Sequence, residues 1–217
     1  MYKRQAPDWT LTDINGNSHN LYTLLDNGYS VVIDLNATWC PPCWSYHESG
    51  ELEDLWVNHG PAGGNGVSAN TTDDVYVFMV ESDGTTTSAD LNGPASGSTQ
   101  GDWVTGTMFP IIDDDSIWGP YGASFFPTVY TICPNRTMTR VGGETGAASA
   151  TALYSHIGTC PIASGDVNGA LLGYTGETVS CGNPVAMSVD LQNMGAQALT
   201  SATIEVMDGG ASVLSYN

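Results

Sequence analysis

The sequence predicts an α/β domain that is followed by part of an all-β region. Two short runs rich in β-branched residues, 29–37 and 75–83, are typical of buried central strands, and a helical pattern lies between them. From residue 173 onward, apolar and polar side chains alternate as they do in half-buried antiparallel strands. The 217 residues are enough for one domain and a portion of a second.

The elements before residue 60 follow from local patterns. Residues 9–22 alternate around Asn15-Gly16, a dipeptide that favours a tight turn, so a β-hairpin is expected there. After the strand at 29–37, a single helix is expected over residues 41–58, because tryptophans and leucines recur near helical spacing while acidic residues face water.

The elements after residue 60 alternate with loops rich in Gly, Ser, Thr and Asn. Residues 60–74 carry too little apolar surface to hold one shape on their own, so a mobile surface loop is expected. Further strands are expected after Pro127 and around residues 138–141, and an Ala-rich closing helix is expected to end at Gly158.

The residue pattern changes at Cys160, from alternating strand and helix patterns to a turn-rich segment followed by strand patterns. We expect a first domain over residues 6–160, a turn-rich linker over 161–172 and a β domain over 173–217. An immunoglobulin-like sandwich needs about 100 residues. The chain is therefore expected to stop inside this second domain.

Charge and hydropathy exclude several partners. The chain has 23 acidic residues against 4 basic ones, for a formal net charge of −19. Nucleic acid and anionic lipid would repel such a surface. No apolar run approaches the roughly 18 residues of a membrane helix, so neither nucleic-acid binding nor a membrane span is expected.

The stretch ATWCPPCWSYH at 37–47 carries the most specific chemistry. A zinc site is disfavoured, because no second C-x-x-C and no clustered His pair accompanies Cys40 and Cys43. A structural staple is disfavoured as well, since so short a loop stabilises little. Thiol–disulfide exchange gives the spacing a reason: at the start of a helix, unpaired N–H groups and the helix dipole lower the pKa of a Cys40 thiol from about 8.5 toward 7 or below.

Three motifs in order resemble one family. DLNATWCPPC resembles the active-site region of the thioredoxin superfamily, APDWTLTDINGNSHNL resembles the entry hairpin of its extracytoplasmic TlpA-like and redoxin branch, and FFPTVYTI resembles the strand that begins with a cis-proline. The resemblance covers residues 6–160. It implies a thioredoxin-like fold, in which helices flank a central mixed sheet behind an N-terminal β-hairpin.

The resemblance also implies site residues. Cys40 would be the attacking thiol and Cys43 the resolving one, with Pro127 as the cis-proline beside them and Phe126 pairing through its backbone with an extended substrate. Asp34 would be the buried acid that exchanges a proton with the resolving thiol; the alternative is an acid at a strand edge satisfied by backbone groups. Substrate contacts are further expected from three residues around the cysteines: Trp39, Pro41 and Pro42. For Trp39, a lid beside the disulfide and a plain core tryptophan both remain open.

The other cysteines lie apart in the sequence. In a thioredoxin topology the strand before Cys133 and the helix before Cys160 end at the same pole, opposite the active site. A structural Cys133–Cys160 disulfide is therefore geometrically possible, and it would place the protein in an oxidising compartment. Cys181 is left without a partner in the sequence.

The function implied is a thiol–disulfide oxidoreductase that needs no cofactor and no metal. Its partners would be cysteine-containing client proteins and an upstream redox partner, in the periplasm, at the cell surface or outside the cell. The first five residues, MYKRQ, resemble a translated sequencing adapter, so no secretory signal is expected to be visible. Two alternatives remain: a peroxiredoxin-like peroxidase, and an adhesive surface module that uses the fold as a scaffold, since VDLQNMGAQALTSATIEV resembles adhesion-related immunoglobulin-like domains.

Overall fold

A computed structural model of the chain describes residues 4–142, 147–161, 169–175, 188–193, 200–208 and 211–216. The chain divides into two compact units, Met1–Cys160 and Pro161–Asn217.

The first unit is built from eight strands and five α-helices within the described ranges. The strands are β1 (Arg4–Gln5), β2 (Thr10–Thr12), β3 (Ser18–Asn20), β4 (Ser30–Asn36), β5 (Val75–Glu81), β6 (Ile111–Asp113), β7 (Thr128–Ile132) and β8 (Thr137–Val141). The helices are α1 (Leu21–Asp26), α2 (Pro41–Glu48), α3 (Glu51–His59), α4 (Trp118–Tyr121) and α5 (Ala150–Ile157), with a short 3-10 turn at Ser88–Leu91.

Six of these strands form one mixed sheet in the order β1-β8-β7-β4-β5-β6. The central strand β4 runs parallel to β5 and antiparallel to β7, so that Asp34 lies between Met79 and Val129. All seven residues of β4 are buried because the strand has a neighbour on each side and a core on each face. This strand order, with a βαβ unit leading into an antiparallel ββα unit, is the thioredoxin-like fold, and the predicted fold class is confirmed.

The sheet separates two hydrophobic cores. On one face, α2, α3 and α5 cover a cluster that includes Val32, Cys43 and Leu55. On the other face, the β2–β3 hairpin and α1 cover a cluster that includes Ile33 and Phe78. Because successive side chains of a strand point to opposite faces, β4 supplies alternate residues to the two cores.

Two predicted boundaries in the first unit are wrong. The single helix expected over residues 41–58 is two helices, since α2 ends at Glu48 and α3 begins at Glu51; Gly50 has a φ of 74° in the left-handed region, which a continuous helix cannot contain. The hairpin is present but ends at Asn20, whose side chain accepts a hydrogen bond from the Thr23 N–H at 2.8 Å and thereby caps α1.

The second unit contains two antiparallel strand pairs within the described ranges. β9 (Gly169–Thr175) pairs with β10 (Ser188–Asn193), and β11 (Ile204–Asp208) pairs with β12 (Ala211–Tyr216). β9 starts inside the segment predicted as a linker, so strand structure begins before residue 173. The immunoglobulin-like assignment stays a prediction, and Cys181 lies outside the described residues.

Candidate active site

A disulfide joins Cys40 to Cys43 at the N-terminus of α2, with their Cα atoms 5.3 Å apart. Cys40 is the N-cap of the helix, and the backbone N–H of Cys43 donates to Cys40 Sγ at 3.2 Å. Pro41 and Pro42 occupy the first two helical positions, where a missing N–H costs no intrahelical hydrogen bond. The helix start predicted from the sequence is confirmed.

The two sulfur-bearing residues differ slightly in burial. Cys40 is 3% exposed and Cys43 is completely buried in the core beneath α2. Both prolines between them are exposed. A molecule that approaches from solvent therefore meets Cys40 and the proline surface before it meets Cys43.

A buried carboxylate fixes the loop that leads from β4 to Cys40. Glu81, at the end of β5, accepts the Thr38 N–H at 3.2 Å through one oxygen and the Asp83 N–H at 3.1 Å through the other. Burial raises the pKa of Glu81. The sequence analysis missed this residue; the only signal was an acid at the end of an otherwise apolar strand.

The long connection between β5 and β6 lies against the same loop. Ser98 accepts a hydrogen bond from the Thr38 hydroxyl at 2.7 Å, and the Gln100 N–H donates to the Thr38 carbonyl at 2.9 Å. The Gln100 side chain also donates to the Trp39 carbonyl at 2.7 Å. These contacts place residues 98–100 at one side of the disulfide.

Trp39 forms an exposed aromatic rim next to Cys40. Its side chain is 40% exposed, and its indole N–H donates to Asp83 at 2.6 Å. The ring meets Phe126 edge-on at 6.1 Å, and Phe126 in turn contacts Trp118 at 4.3 Å. Of the two possibilities left open for Trp39, the core position is wrong.

Pro127 lies at the same edge of the sheet. The Phe126–Pro127 peptide bond is cis, and Pro127 is buried directly before β7. Because Thr128 pairs with Leu35 near the end of β4, Pro127 lies level with the chain that leads to Cys40.

Asp34 lies inside the core and not at a strand edge. It is 1% exposed on the central strand, and its Oδ1 has no hydrogen-bond partner. Burial raises the pKa of Asp34 to about 7; the Asn36 amide acts in the opposite direction, and the charge of Glu53 raises it further. The carboxyl group therefore titrates near neutrality.

A second aromatic cluster lies along α2. Trp44 and His47 contact Trp103 at 4.9 and 5.0 Å between ring centroids. Burial lowers the pKa of His47, and Asp102 opposes this effect. Trp103 is fully buried and anchors the β5–β6 connection to α2, a role that its Gly- and Thr-rich surroundings gave no reason to predict.

A second disulfide joins Cys133 to Cys160, which are 27 positions apart in the sequence and have their Cα atoms 5.4 Å apart. Cys160 accepts a hydrogen bond from the Ser30 hydroxyl at 3.9 Å. Since Ser30 begins β4 and Asn36 ends it, this disulfide lies at the pole opposite Cys40.

Two negative observations concern the described part of the chain. It contains no group of three or more His, Cys, Asp or Glu residues that could hold a metal ion. The acidic run at 113–115 begins at the last residue of β6 and is largely exposed. None of the helices in the described ranges is long and apolar enough to cross a membrane.

Comparisons with known proteins give remote structural similarity only. No protein-family model and no curated protein matches the chain. Similar solved structures include the thioredoxin domain of a Bacteroides vulgatus thiol-disulfide oxidoreductase (15% identity, 72% of this chain and 94% of that one, TM-score 0.48) and an exposed lipoprotein thioredoxin of Streptococcus pneumoniae (20%, 70% and 98%, 0.47). A secreted Mycobacterium tuberculosis disulfide oxidoreductase is also similar (18%, 69% and 94%, 0.43). Similarity this remote transfers no function, and the fold assignment rests on the strand order.

Proposed function

We propose that the first unit is a thiol–disulfide oxidoreductase that exchanges the Cys40–Cys43 pair with cysteines of client proteins. The observation that carries the proposal is the position of Cys40 Sγ at the N-cap of α2, where it accepts the Cys43 N–H. In the reduced protein the same N–H and the positive end of the helix dipole stabilise a Cys40 thiolate, which is the reactive form.

The reaction proceeds through a mixed disulfide. The Cys40 thiolate attacks a client disulfide, and one client sulfur leaves as a thiolate. Cys43, one helical turn further on, then attacks Cys40 Sγ and releases the second client sulfur. Two electrons pass from the dithiol to the client, and the reverse sequence oxidises a client dithiol.

The client binds on the surface around Cys40. We assign the contact surface to the exposed Trp39 ring, the two exposed prolines and the Phe126 backbone, with Pro127 shaping the edge beside the disulfide. Trp44 follows the second cysteine, at the position where the thioredoxin family that the sequence resembles usually has a basic residue, and acidic groups such as Asp83 lie nearby. Negative surroundings disfavour the thiolate and favour the disulfide, so we infer a reductant of clients.

The proposed location is outside the cytoplasm. The Cys133–Cys160 disulfide has no place in the exchange reaction, and structural disulfides persist in oxidising compartments. The reduced state of Cys40 and Cys43 would therefore depend on an upstream redox partner.

Trapping of the mixed disulfide tests the proposal. A Cys43→Ser variant should accumulate a covalent complex with a disulfide-bonded client such as insulin, because Cys40 attacks but nothing resolves the product. The matched Cys40→Ser variant should form none. Equal trapping by both variants, or none by either, would contradict the oxidoreductase function and favour the alternative in which the fold is only a scaffold.

A further inference from the structure

Three buried polar side chains without hydrogen-bond partners lie on the side of the sheet that the active-site helix covers. Asp34 Oδ1, both polar atoms of the Asn36 side chain and Glu53 Oε2 are buried, and none has a hydrogen-bond partner among the described residues. Buried polar atoms are hydrogen-bonded in the great majority of cases, so several orphans in one place indicate a shared unassigned partner.

These three residues lie on the same side of the sheet, and both the Asn36 amide and the Glu53 charge act on the pKa of Asp34. Asp34 and Asn36 are two positions apart on β4 and point to one face, the face whose core also contains Cys43. Glu53 lies on α3, near enough that its charge acts on Asp34. Unlike the two β4 residues, Glu53 is half-exposed, so that one carboxylate oxygen is inside the protein while the residue borders solvent.

We propose that Glu53 relays protons between the buried Asp34 and solvent, through a water held by Asp34, Asn36 and Glu53. The proposal rests on the oxidoreductase function proposed above, which supplies the proton. The buried polar atoms of these three side chains offer the donors and acceptors that a buried water requires. Asn36 can donate to the water through its amide nitrogen or accept from it through its oxygen. The protonation of Asp34 and Glu53 decides which of these two hydrogen bonds the water still needs.

In the resolving step, one proton leaves Cys43 as the client thiolate is released. The Cys43 thiol gives its proton to the Asp34 carboxylate while its sulfur bonds to Cys40 Sγ. The bond between Cys40 and the client sulfur breaks, and its electron pair leaves with the client thiolate. Asp34 then passes the proton through the water to Glu53 and on to solvent, which protonates the client thiolate.

Other titratable groups around Asp34 do not offer this route. Tyr46 on α2 donates its hydroxyl to the Ala148 carbonyl at 2.7 Å, and burial raises its pKa beyond the working range. Glu51 accepts the Ala150 N–H at 2.7 Å. Asp54 is exposed and acts on Glu53 only through its charge.

On the strands beside β4, Met79 and Val129 flank Asp34 and do not titrate. One register step further, Glu81 of β5 pairs with Asn36, but its two carboxylate oxygens already accept the Thr38 and Asp83 N–H groups. Burial raises the pKa of Glu53 as well, with Asp54 adding to the shift. Two carboxyl groups with raised pKa values, one interior and one at the surface, are suited to pass a proton near neutral pH.

The test separates the two chemical steps. When the reduced protein reacts with an aromatic disulfide that releases a coloured thiolate, the first release reports attack by Cys40 and the second reports resolution by Cys43. Glu53→Gln should slow the second release about tenfold near pH 7 and leave the first unchanged, while Asp34→Asn slows it more, about a hundredfold. Glu48→Gln, which removes an exposed carboxylate of α2, is the matched control and should change neither.

A carboxyl NMR titration of the oxidised protein gives a readout that needs no activity. Removing the Glu53 charge should move the Asp34 titration to lower pH and change the pH profile of the second release in the same direction. An Asp34 titration and a second release that are both unaffected by Glu53→Gln would overturn the relay. A wild-type protein that never gives a second release, yet shows the shifted Asp34 titration, would retain the coupling and overturn the oxidoreductase.

Discussion

The two disulfides of the first unit have nearly the same span and very different surroundings. Their Cα–Cα distances are 5.3 and 5.4 Å, and exposure does not favour the active pair, since Cys160 is 9% exposed and Cys40 only 3%. Cys40 caps the N-terminus of α2, whereas Cys160 follows the C-terminus of α5, where the helix dipole disfavours a thiolate. The position along a helix, and not access alone, therefore distinguishes the bond that we propose to exchange from the one that we propose to be structural.

The largest expected difference concerns catalysis. Cys40→Ser should lower insulin reduction by about 10³-fold or more, because no other described thiol lies at a helix N-terminus. The double variant Cys133→Ala with Cys160→Ala should keep near wild-type turnover when assayed at a temperature where it stays folded. If Cys40→Ser and the double variant lost comparable amounts of insulin-reducing activity, the two disulfides would not differ in role.

Asp34, on the strand that leads to Cys40, is a buried acid that should make the stability of the fold depend on pH. The folded state raises the pKa of Asp34 from 3.8 to about 7, so the folded protein binds more protons between these values and loses stability as pH rises through them. Asp34→Asn should therefore be more stable than the oxidised wild type at pH 8, by about 4 kcal/mol, and nearly equal to it at pH 4. Urea unfolding at both pH values measures this difference; parallel curves would argue against a raised pKa.

The second disulfide should matter for stability. Replacing Cys133 and Cys160 by alanine should cost about 3 kcal/mol in the free energy of unfolding, since the disulfide restricts a long loop of the unfolded chain. Replacing Cys40 and Cys43 should cost less, because the closed loop is far shorter. Chemical denaturation of both double variants is the measurement, and the opposite order would contradict the assignment of roles.

The smallest effect should come from the rim around Cys40. Trp39→Phe keeps an aromatic ring but removes the indole N–H that donates to Asp83 at 2.6 Å. A loss of about 1 kcal/mol, or roughly fivefold in client turnover, is expected with little change in stability. Full loss of activity would mean that the hydrogen bond, and not the ring surface, positions the site.

Local patterns predicted the part of the site that lies along the chain. The β-branched run before the cysteines became β4, and the two prolines after Cys40 opened α2 as expected. The break at Gly50 was missed because apolar spacing continues across it, although the backbone there turns left-handed. Glu81 and Trp103 were missed because their partners lie far away in the sequence.

The loop at 60–74 also shows the difference between what local sequence predicts and what contacts between remote segments decide. Its composition predicts a segment that cannot hold its own shape, and the contacts that fix it come largely from outside: the Trp56 indole donates to the Asn65 carbonyl at 2.8 Å, and the Asn65 amide donates to the Met108 carbonyl at 3.1 Å. The described contacts anchor the loop to the rest of the fold, and the expected mobility of residues 60–74 stays a prediction.

The sequence by itself determined the cysteine pair, the helix start beside it and the succession of strands and helices along the chain, because spacing and propensity act between near neighbours. Only the tertiary structure decided which groups surround the pair. It brought Glu53 near enough to Asp34 for its charge to act on that acid, and Glu81 against the Thr38 N–H. Burial and electrostatic coupling depend on distances between segments that are remote in the chain, and no local pattern specifies those distances.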